Sequence, residues 1–561
     1  MEKHVLALQL SQLLGEEFSR EWVYSLIETP KQEKMGDMAF PCFKLSPTFR
    51  KSPQDLASEL APRLKHDLFT RVQPTGGYIN IFLNQSLIAE HTLKKILTEQ
   101  EDYGKHSFGE GKTVVLDLSA PNIAKPFSMG HLRSTVIGNA LSNLAENCGY
   151  ETVKINYIGD YGTQFGKLLA AYKKWGDEEL IRSNPLAELT KIYVKFHEEA
   201  KQDPSLIDEG RDWFKKLEQQ HPEALKLWKW FKDASLEEFN KIYQLLGIEF
   251  DLTRGEAYYN DKMEATVDLL KEHSLLSNSE GAEVVHLDEE GLPPCLIKKS
   301  DGTTIYATRD LTAAIDRYQN YTFDQALYIV GHEQSLHFEQ IKHVLGKLNF
   351  PWAQDVKHIS FGMMLQDGSK MSTRRGKTIL LEKVLEEAID RAKVNIEEKN
   401  PSLENKEDVA RQVGVGAVIF HDLKHDRRND VEFSLEDMLT FEGKTAPYLQ
   451  YAYVRAQSIL NRGGFEINSG TPALNDEQAW LVIKQLRSFP EIVEKAYKEY
   501  DPSKIAKYLL DVAKGFNQYY ASVKILNEDN HLDSRLTLVY SFSLVIRKGL
   551  ELLGIEAPKR M

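Results

Sequence analysis

The sequence predicts an α/β protein in three parts: a small α/β N-terminal domain, a Rossmann-like core with a helical insertion, and an all-α C-terminal domain. Three observations carry this expectation. From Thr113 a short β-branched strand, a loop, a helix, a second strand and a second helix follow one another as in a βαβ unit. Strand character returns near residue 325, after a charged stretch that reads helical. Beyond about residue 380, long amphipathic helices run to the end of the chain.

The length of 561 residues suits three or four domains at roughly 150 residues each. The first, 1–110, opens with an amphipathic helix in MEKHVLALQLSQLLGEEF. Glu16, Glu17 and Glu21 and the lack of a small-residue cleavage site separate it from a signal peptide. GGYINIFLN (Gly76–Asn84) alternates as a strand, and a helix follows over Gln85–Gln100. The core is expected over 111–395. TVVLDLS (Thr113–Ser119) is its first strand, a helix opens near Met129, and TVKINYIGD (Thr152–Asp160) is its second strand. An insertion over about 175–300 reads mainly helical. QALYIVG (Gln325–Gly331) and KHISFGMML (Lys357–Leu365) then resume the sheet. A helical connector (396–440) leads to the all-α domain, 441–561.

Composition excludes several classes. With 70 basic and 83 acidic residues the net charge is −13, which argues against coating DNA non-specifically. The charge is uneven: residues 441–561 carry +2 and the rest −15. No uncharged apolar run reaches membrane-spanning length. Cys42, Cys148 and Cys295 are too widely spaced for a disulfide framework, a CxxC redox pair or a zinc knuckle, and fit a reducing cytosol.

Three stretches could carry chemistry. In SAPNIAKPFSMGHLRSTVIGN (Ser119–Asn139), a helix opens at the carboxyl end of a strand, where unpaired backbone N–H groups suit phosphates. Gly130 bares the backbone to a flat base, His131 stands in the first helical turn, and Lys125 is long enough to reach a phosphate oxygen. FGMMLQDGSKMSTRRGKTI (Phe361–Ile379) is a basic turn after a strand. Lys370, Arg374, Arg375 and Lys377 against Asp367 give it +3, enough for a polyanion clamp, although alone it would read as a solvated turn. In TTIYATRDLTAAIDRY (Thr303–Tyr318), Tyr306 and Asp310 share one helical face. A carboxylate there matches the fork of a guanidinium, and Gln334 offers an amide oxygen. The plainer reading is a surface pair tied to Arg309 or Arg317.

The first two stretches together resemble the paired HIGH and KMSKS motifs of class I aminoacyl-tRNA synthetases. The wider wording is similar to the arginyl-tRNA synthetase family: PN-x-AK-x4-GHLRS, GD-x-GTQFG, Y-x3-D-L, GMM before a KMS loop, FHDLKHDRRNDVEF, APYLQYA-x-VRAQSIL and a terminal IEAPKRM. The chain departs from the motifs twice. Ser128 replaces the first histidine of HIGH, and Thr373 replaces the second lysine of KMSKS; Lys125 stands where the family's compensating lysine is found.

The resemblance implies arginine activation by ATP and transfer to tRNA(Arg). It places ATP on Lys125, Ser128, Gly130, His131, Lys370, Met371 and Ser372, with Lys125, His131 and Lys370 catalytic. It places arginine on Ala120, Pro121, Asn122, His131, Tyr306, Asp310 and Gln334. Tyr78 and Asn80 would meet the tRNA elbow, and Tyr448 and Arg455 the anticodon region, the C-terminal part being anticodon-binding. Tyr451, Tyr453, Tyr519, Tyr520 and Lys524 also suit unpaired bases, though helical spacing makes many such tyrosines core. The resemblance further implies Mg²⁺ arriving with ATP, no protein-held metal, no membrane or DNA partner, a monomer and a cytoplasmic location. Two rivals share much of the pattern: a class I relative specific for cysteine or glutamate, and a catalytically silent tRNA-binding paralogue.

Overall fold

Val114, Val115 and Leu116 are buried in succession, the pattern of a strand covered on both faces. The computed structural model describes residues 2–30, 32–300, 302, 304–366, 368–370, 379–440, 442–467, 472–474 and 476–561. The chain forms two compact units. The first comprises Met1–Gln100, Ile459–Arg487 and Gly515–Phe542; the second comprises Glu101–Ser458, Ser488–Lys514 and Ser543–Met561. The long helices Ala446–Gly463, Ser503–Ser522 and Leu532–Leu552 therefore contribute residues to both units.

In the first unit, strands β1 (Met38–Pro41), β2 (Phe69–Thr75) and β3 (Tyr78–Leu83) make an antiparallel sheet in the order β1-β3-β2. Ile79 and Ile81 on β3 are fully buried and pack with Leu6, Leu10, Phe40 and Trp480.

The second unit is built on five parallel strands: β4 (Thr113–Asp117), β5 (Glu151–Ile158), β6 (Leu252–Gly255), β10 (Gln325–Tyr328) and β11 (Val356–His358). Their order is β11-β10-β4-β5-β6. The order turns back between β4 and β10, so a crevice opens beyond their carboxyl ends, where α/β sheets bind ligands. Asp117 ends β4 opposite Tyr328 of β10 and Ile155 of β5. Helices Tyr306–Tyr321 and Ser335–Lys347 help cover the sheet through Leu311, Ala314, Phe338, Ile341 and Val344.

Two expectations need refinement. The stretch 175–300 is mainly helical, but after Leu246 it also holds β6 and, beyond the helix Met263–Glu272, a small antiparallel sheet of β7 (Leu276–Ser279), β8 (Ala282–Val285) and β9 (Cys295–Lys298). β6 is an edge strand paired only with β5. It therefore needs no continuous apolar run, and its Arg254 is tolerated. Likewise Lys357–Leu365 is not one strand. It divides into β11 and β12 (Met364–Gln366), and β12 pairs with β13 (Ser369–Lys370) and β14 (Val431–Glu432) in another sheet.

One buried side chain explains the division. Arg133 donates from Nη1 to the carbonyls of Gly362 (2.7 Å) and Asn429 (2.8 Å), and from Nη2 to that of Arg427 (3.3 Å). Its Nε lies 2.9 Å from the Asp422 carboxylate, and both side chains are 1% exposed. Gly362 has no room for a side chain there, since a Cβ would fall 2.5 Å from the Asn429 backbone. Burial pushes the Asp422 carboxyl up while Arg133 pulls it down. Removing one partner of such a pair strands the other charge, so Asp422→Ala is expected to cost about 3–5 kcal/mol, read from the urea unfolding midpoint.

Candidate functional site

After β4 the chain crosses the carboxyl ends of the sheet in an unusual backbone. Ser119, Ala120 and Ala124 adopt left-handed φ of 71°, 50° and 58°, a region that non-glycine residues seldom enter. Surrounding elements hold this path. Ser134 Oγ accepts the Ser119 N–H at 2.9 Å and donates to the Ile329 carbonyl at 2.6 Å. Ser119 Oγ and the Tyr243 hydroxyl are 2.8 Å apart, and Ser235 Oγ accepts the Ala124 N–H at 2.9 Å. Pro121 and Ile123 bond Gly159 just past β5, at 3.0 and 3.1 Å. A Cβ on Gly159 would sit 2.4 Å from Asn122 Oδ1, so a larger residue there would displace the Asn122 side chain. Ala120, Pro121 and Asn122 are thus laid across the ends of β4 and β5.

The helix Met129–Asn147 begins where its sequence pattern places it, with Ser128 as N-cap. The Ser128 N–H donates to Nδ1 of His131 at 3.1 Å. Nδ1 is therefore the acceptor, and Nε2 carries the proton of a neutral ring. Burial, and then the Lys125 ammonium, lower the His131 pKa to about 4. Gly130 is exposed, and a Cβ on it would meet only Ser128 Oγ, at 3.5 Å. The protein's own packing leaves this glycine unexplained. Lys125 Nζ lies 3.4 Å from Gln164 Oε1, beside a shallow cleft that Phe165 and Tyr193 also line.

The basic loop is anchored to the same helix at both ends. On its entry side, Arg133 grips Gly362 two residues before β12. On its exit side, Met129 N–H donates to Ile379 at 3.2 Å, Leu381 N–H donates to Phe127 at 3.0 Å, and Ser128 bridges Leu380. Lys370 ends β13, its backbone paired with Leu365. Met371 and Ser372, with Thr373, Arg374, Arg375 and Lys377, lie outside the described residues.

Tyr306 and Asp310 lie on the helix Tyr306–Tyr321, as their spacing predicts. Asp310 reaches the carboxyl end of the sheet, its carboxylate 2.6 Å from His337 in the helix that opens after β10. Burial first, with the Asp310 charge adding to it, raises the pKa values of Asp117, Tyr157 and Tyr328. It does not pair with Arg309 or Arg317. Arg317 instead makes a buried ion pair with Asp117 at 2.7 Å, and Arg309 lies 3.4 Å from Glu256. Tyr306 is 63% exposed, and Gln334 is exposed in the turn that follows β10.

Two polar neighbours escaped sequence reasoning. Glu256, just after β6, is pushed up to about 7 by burial against the pull of Arg309, with Asp310 and Asp160 adding to the rise. His337 Nε2 stands 2.6 Å from Asp310 Oδ2. Neither had a periodic signal, since each meets Asp310 or Arg309 from a distant part of the chain.

The expected tRNA-facing residues divide. Tyr78 is partly exposed, edge-on to Phe43 at 5.2 Å, whereas Asn80 is 3% exposed inside its sheet. Tyr448 is partly exposed, and Arg455 stacks over the exposed Tyr451 at 4.9 Å. Tyr453 and Tyr519 are buried and belong to packing, while Tyr520 and Lys524 are exposed. Among the described residues no cluster of three or more His, Cys, Asp or Glu could hold a metal ion, and no helix is long and apolar enough to cross a membrane.

Comparison with known proteins matches residues 3–83 to the arginyl tRNA synthetase N terminal domain, 92–435 to the tRNA synthetases class I (R) catalytic domain, and 449–561 to the DALR anticodon binding domain. The chain is 56% identical over 559 residues to arginine–tRNA ligase 2 of Bacillus anthracis, covering 100% of both chains. It is also 56% identical to arginine–tRNA ligase 1 of Bacillus cereus (strain ZK / E33L), with the same coverage. Among solved structures it resembles the Thermus thermophilus arginyl-tRNA synthetase, with a TM-score of 0.83, 25% identity and 100% of both chains covered.

The electrostatics give a pH test. Burial lowers the pKa of both His131 and His421 from 6.5 to about 4. Between those values the unfolded chain binds more protons than the folded one. The stability present above pH 6.5 is therefore lost as pH falls toward 4. His421→Gln keeps a donor for the Glu432 carbonyl and is expected to flatten the fall of the urea midpoint across that window.

Proposed function

The chain belongs to the arginyl-tRNA synthetase family of class I, and on that premise we propose how its residues carry the ligase reaction. L-Arginine is activated with ATP, its carboxylate attacking the α-phosphorus in line as pyrophosphate leaves. The 2′-hydroxyl of the terminal adenosine of tRNA(Arg) then attacks the acyl carbon, and AMP departs. Asp310 holds the guanidinium, with Tyr306 and Gln334 beside it. Ala120, Pro121 and Asn122 receive the main-chain end.

His131 donates a hydrogen bond from its neutral Nε2–H to a phosphate oxygen without bringing a charge of its own, and Lys125 supplies the cation. Gly130 leaves its space to the nucleotide base, next to Ser128. Lys370, Met371 and Ser372 close on the phosphates. No side chain acts as nucleophile; orientation and charge stabilisation do the work. Tyr78 serves the tRNA elbow, and Tyr448 and Arg455 the anticodon region; Asn80, buried in its sheet, supports the strand that carries Tyr78. Mg²⁺ accompanies ATP on its phosphates, and the working unit is a cytoplasmic monomer.

The observation that most supports this reading is Asp310. Its carboxylate stands at the carboxyl end of the sheet beside His337, while Arg309 and Arg317 pair with Glu256 and Asp117 instead. A site of acceptors rejects a substrate with fewer donors by roughly 10⁴ or more, because its own groups are left unpaired.

Arginine-dependent ATP–pyrophosphate exchange, with and without tRNA(Arg), is the test, with lysine, glutamate and cysteine as controls. Exchange with arginine alone supports the assignment; exchange with another amino acid, or with none, overturns it. Asp310→Asn should lose roughly 3 kcal/mol or more in transition-state stabilisation, and less than a fivefold fall in arginine kcat/KM would contradict its role. Gly130→Ala should fold at least as stably, since glycine disfavours a helix by up to about 1 kcal/mol. Its KM for ATP should nonetheless rise tenfold or more.

A further inference from the structure

We propose that His337 is a positioning residue that sets the plane of the Asp310 carboxylate and so favours arginine over lysine. This deepens the reading of Asp310 as the guanidinium acceptor and rests on it. The bond is short, 2.6 Å from His337 Nε2 to Asp310 Oδ2. Both side chains are about one-fifth exposed, at 21% and 22%, so the pair sits at the mouth of a site and not in the core. Oδ1 of Asp310 accepts no hydrogen bond from the described residues.

A carboxylate offers about four lone-pair directions, two on each oxygen. His337 takes one on Oδ2, leaving one there and both on Oδ1. A guanidinium fork needs one on each oxygen, in the carboxylate plane. The imidazole thus fixes the plane while leaving both positions of the fork open.

The imidazole is itself held. His337 lies in the first turn of the helix Ser335–Lys347. The next residue, Phe338, is wedged between Tyr328 of β10, at 5.1 Å, and His358 of β11, stacked at 4.7 Å. His358 Nε2 bonds the Val330 carbonyl at 3.0 Å. Tyr328 in turn lies under the buried Arg317 that pairs with Asp117. The sheet therefore backs the histidine, and the histidine backs the aspartate.

The chemistry gives the discrimination. A carboxylate free to turn can meet the point charge of a lysine ammonium nearly as well as a planar fork. One fixed in plane rewards the fork and gains the ammonium little. A donor on that carboxylate also does most for arginine if it brings no second cation, and an imidazole can donate from Nε2 while neutral.

The experiment is pyrophosphate exchange in the presence of tRNA(Arg) on the full chain carrying His337→Leu, His337→Asn or His337→Gln, beside Asp310→Asn. Leucine removes the donor, asparagine shortens its reach, and glutamine keeps an N–H at about the distance of Nε2. The expected result for His337→Leu and His337→Asn is an arginine KM raised tenfold or more. Their kcat and ATP KM should stay within threefold, and the preference for arginine over lysine should narrow at least tenfold. His337→Gln should recover most of both. If His337→Leu does not fold, judged by its melting curve, the asparagine and glutamine pair carries the comparison.

The proposal is overturned if arginine KM stays within twofold in His337→Leu or His337→Asn, or if glutamine rescues nothing. It is also overturned if kcat falls and ATP KM rises together with the loss of arginine binding, as a general loss of structure would produce. Should Asp310→Asn itself leave arginine KM unchanged, the reading of Asp310 fails first. Should Asp310→Asn raise it while the histidine variants do not, only the role of His337 is lost.

Discussion

The catalytic unit depends on one buried cation. Arg133 stands one turn into the helix that begins at Met129, and its guanidinium is shared among three backbone carbonyls and the Asp422 carboxylate. Alone, a charge so deep would be prohibitively unfavourable. Met and Tyr could fill the volume, but Met has no donor and Tyr only one, against carbonyls arriving from different directions. The arrangement ties the signature helix to the stem of the basic loop and to the segment after helix Lys406–Leu423. Arg427 extends the link, donating to the carbonyls of Ser360 and Tyr500. The stretch FHDLKHDRRNDVEF thereby acquires a physical meaning. It is the frame against which the helix from Met129 and the stem of the basic loop are set, with His421 and Asp422 buried and residues 428–430 exposed.

A second theme is charge kept in balance at the edge of the sheet. Asp117 and Arg317 neutralise each other beneath the site, and Tyr157 and Tyr328 flank the guanidinium. Arg309 is turned toward Glu256. Two arginines therefore lie near Asp310 without quenching it, which is the condition for a third guanidinium to be recognised there. Close to the histidine turn the logic is reversed. The histidine is kept neutral, and lysine supplies the positive charge.

Local pattern explains what could be read in advance. The strand at Thr113, the helix beginning at Met129 and the shared face of Tyr306 and Asp310 each follow from neighbours a few residues apart. The wording around GHLRS and the basic loop carried the family. What escaped reading arose from distance along the chain. His337 and Asp310 are separated by 27 residues, and Arg133 meets partners near residues 362 and 429, which no periodicity reports. Strand β6 was hidden in a charged stretch because an edge strand needs one good partner, not two. The stretch from Lys357 read as one strand because Ile359, Phe361, Met363, Met364 and Leu365 give it strand character from end to end, yet Arg133 captures its middle and turns it into another sheet. Among the C-terminal tyrosines, Tyr453 and Tyr451 look alike in sequence but differ in burial. Helical spacing cannot say which side of a helix its neighbours will cover.

The left-handed residues after β4 have a kinetic consequence. Ser119, Ala120 and Ala124 are held by bonds from several elements that need no ligand. The ordering entropy of that turn is therefore settled during folding, and the amino-acid end proposed to bind there would meet a finished surface. Affinity changes from substitutions around this turn should then lie in residence time, with the frequency of productive encounters nearly constant. The rigid turn would act as a timer for how long the first substrate waits for the second.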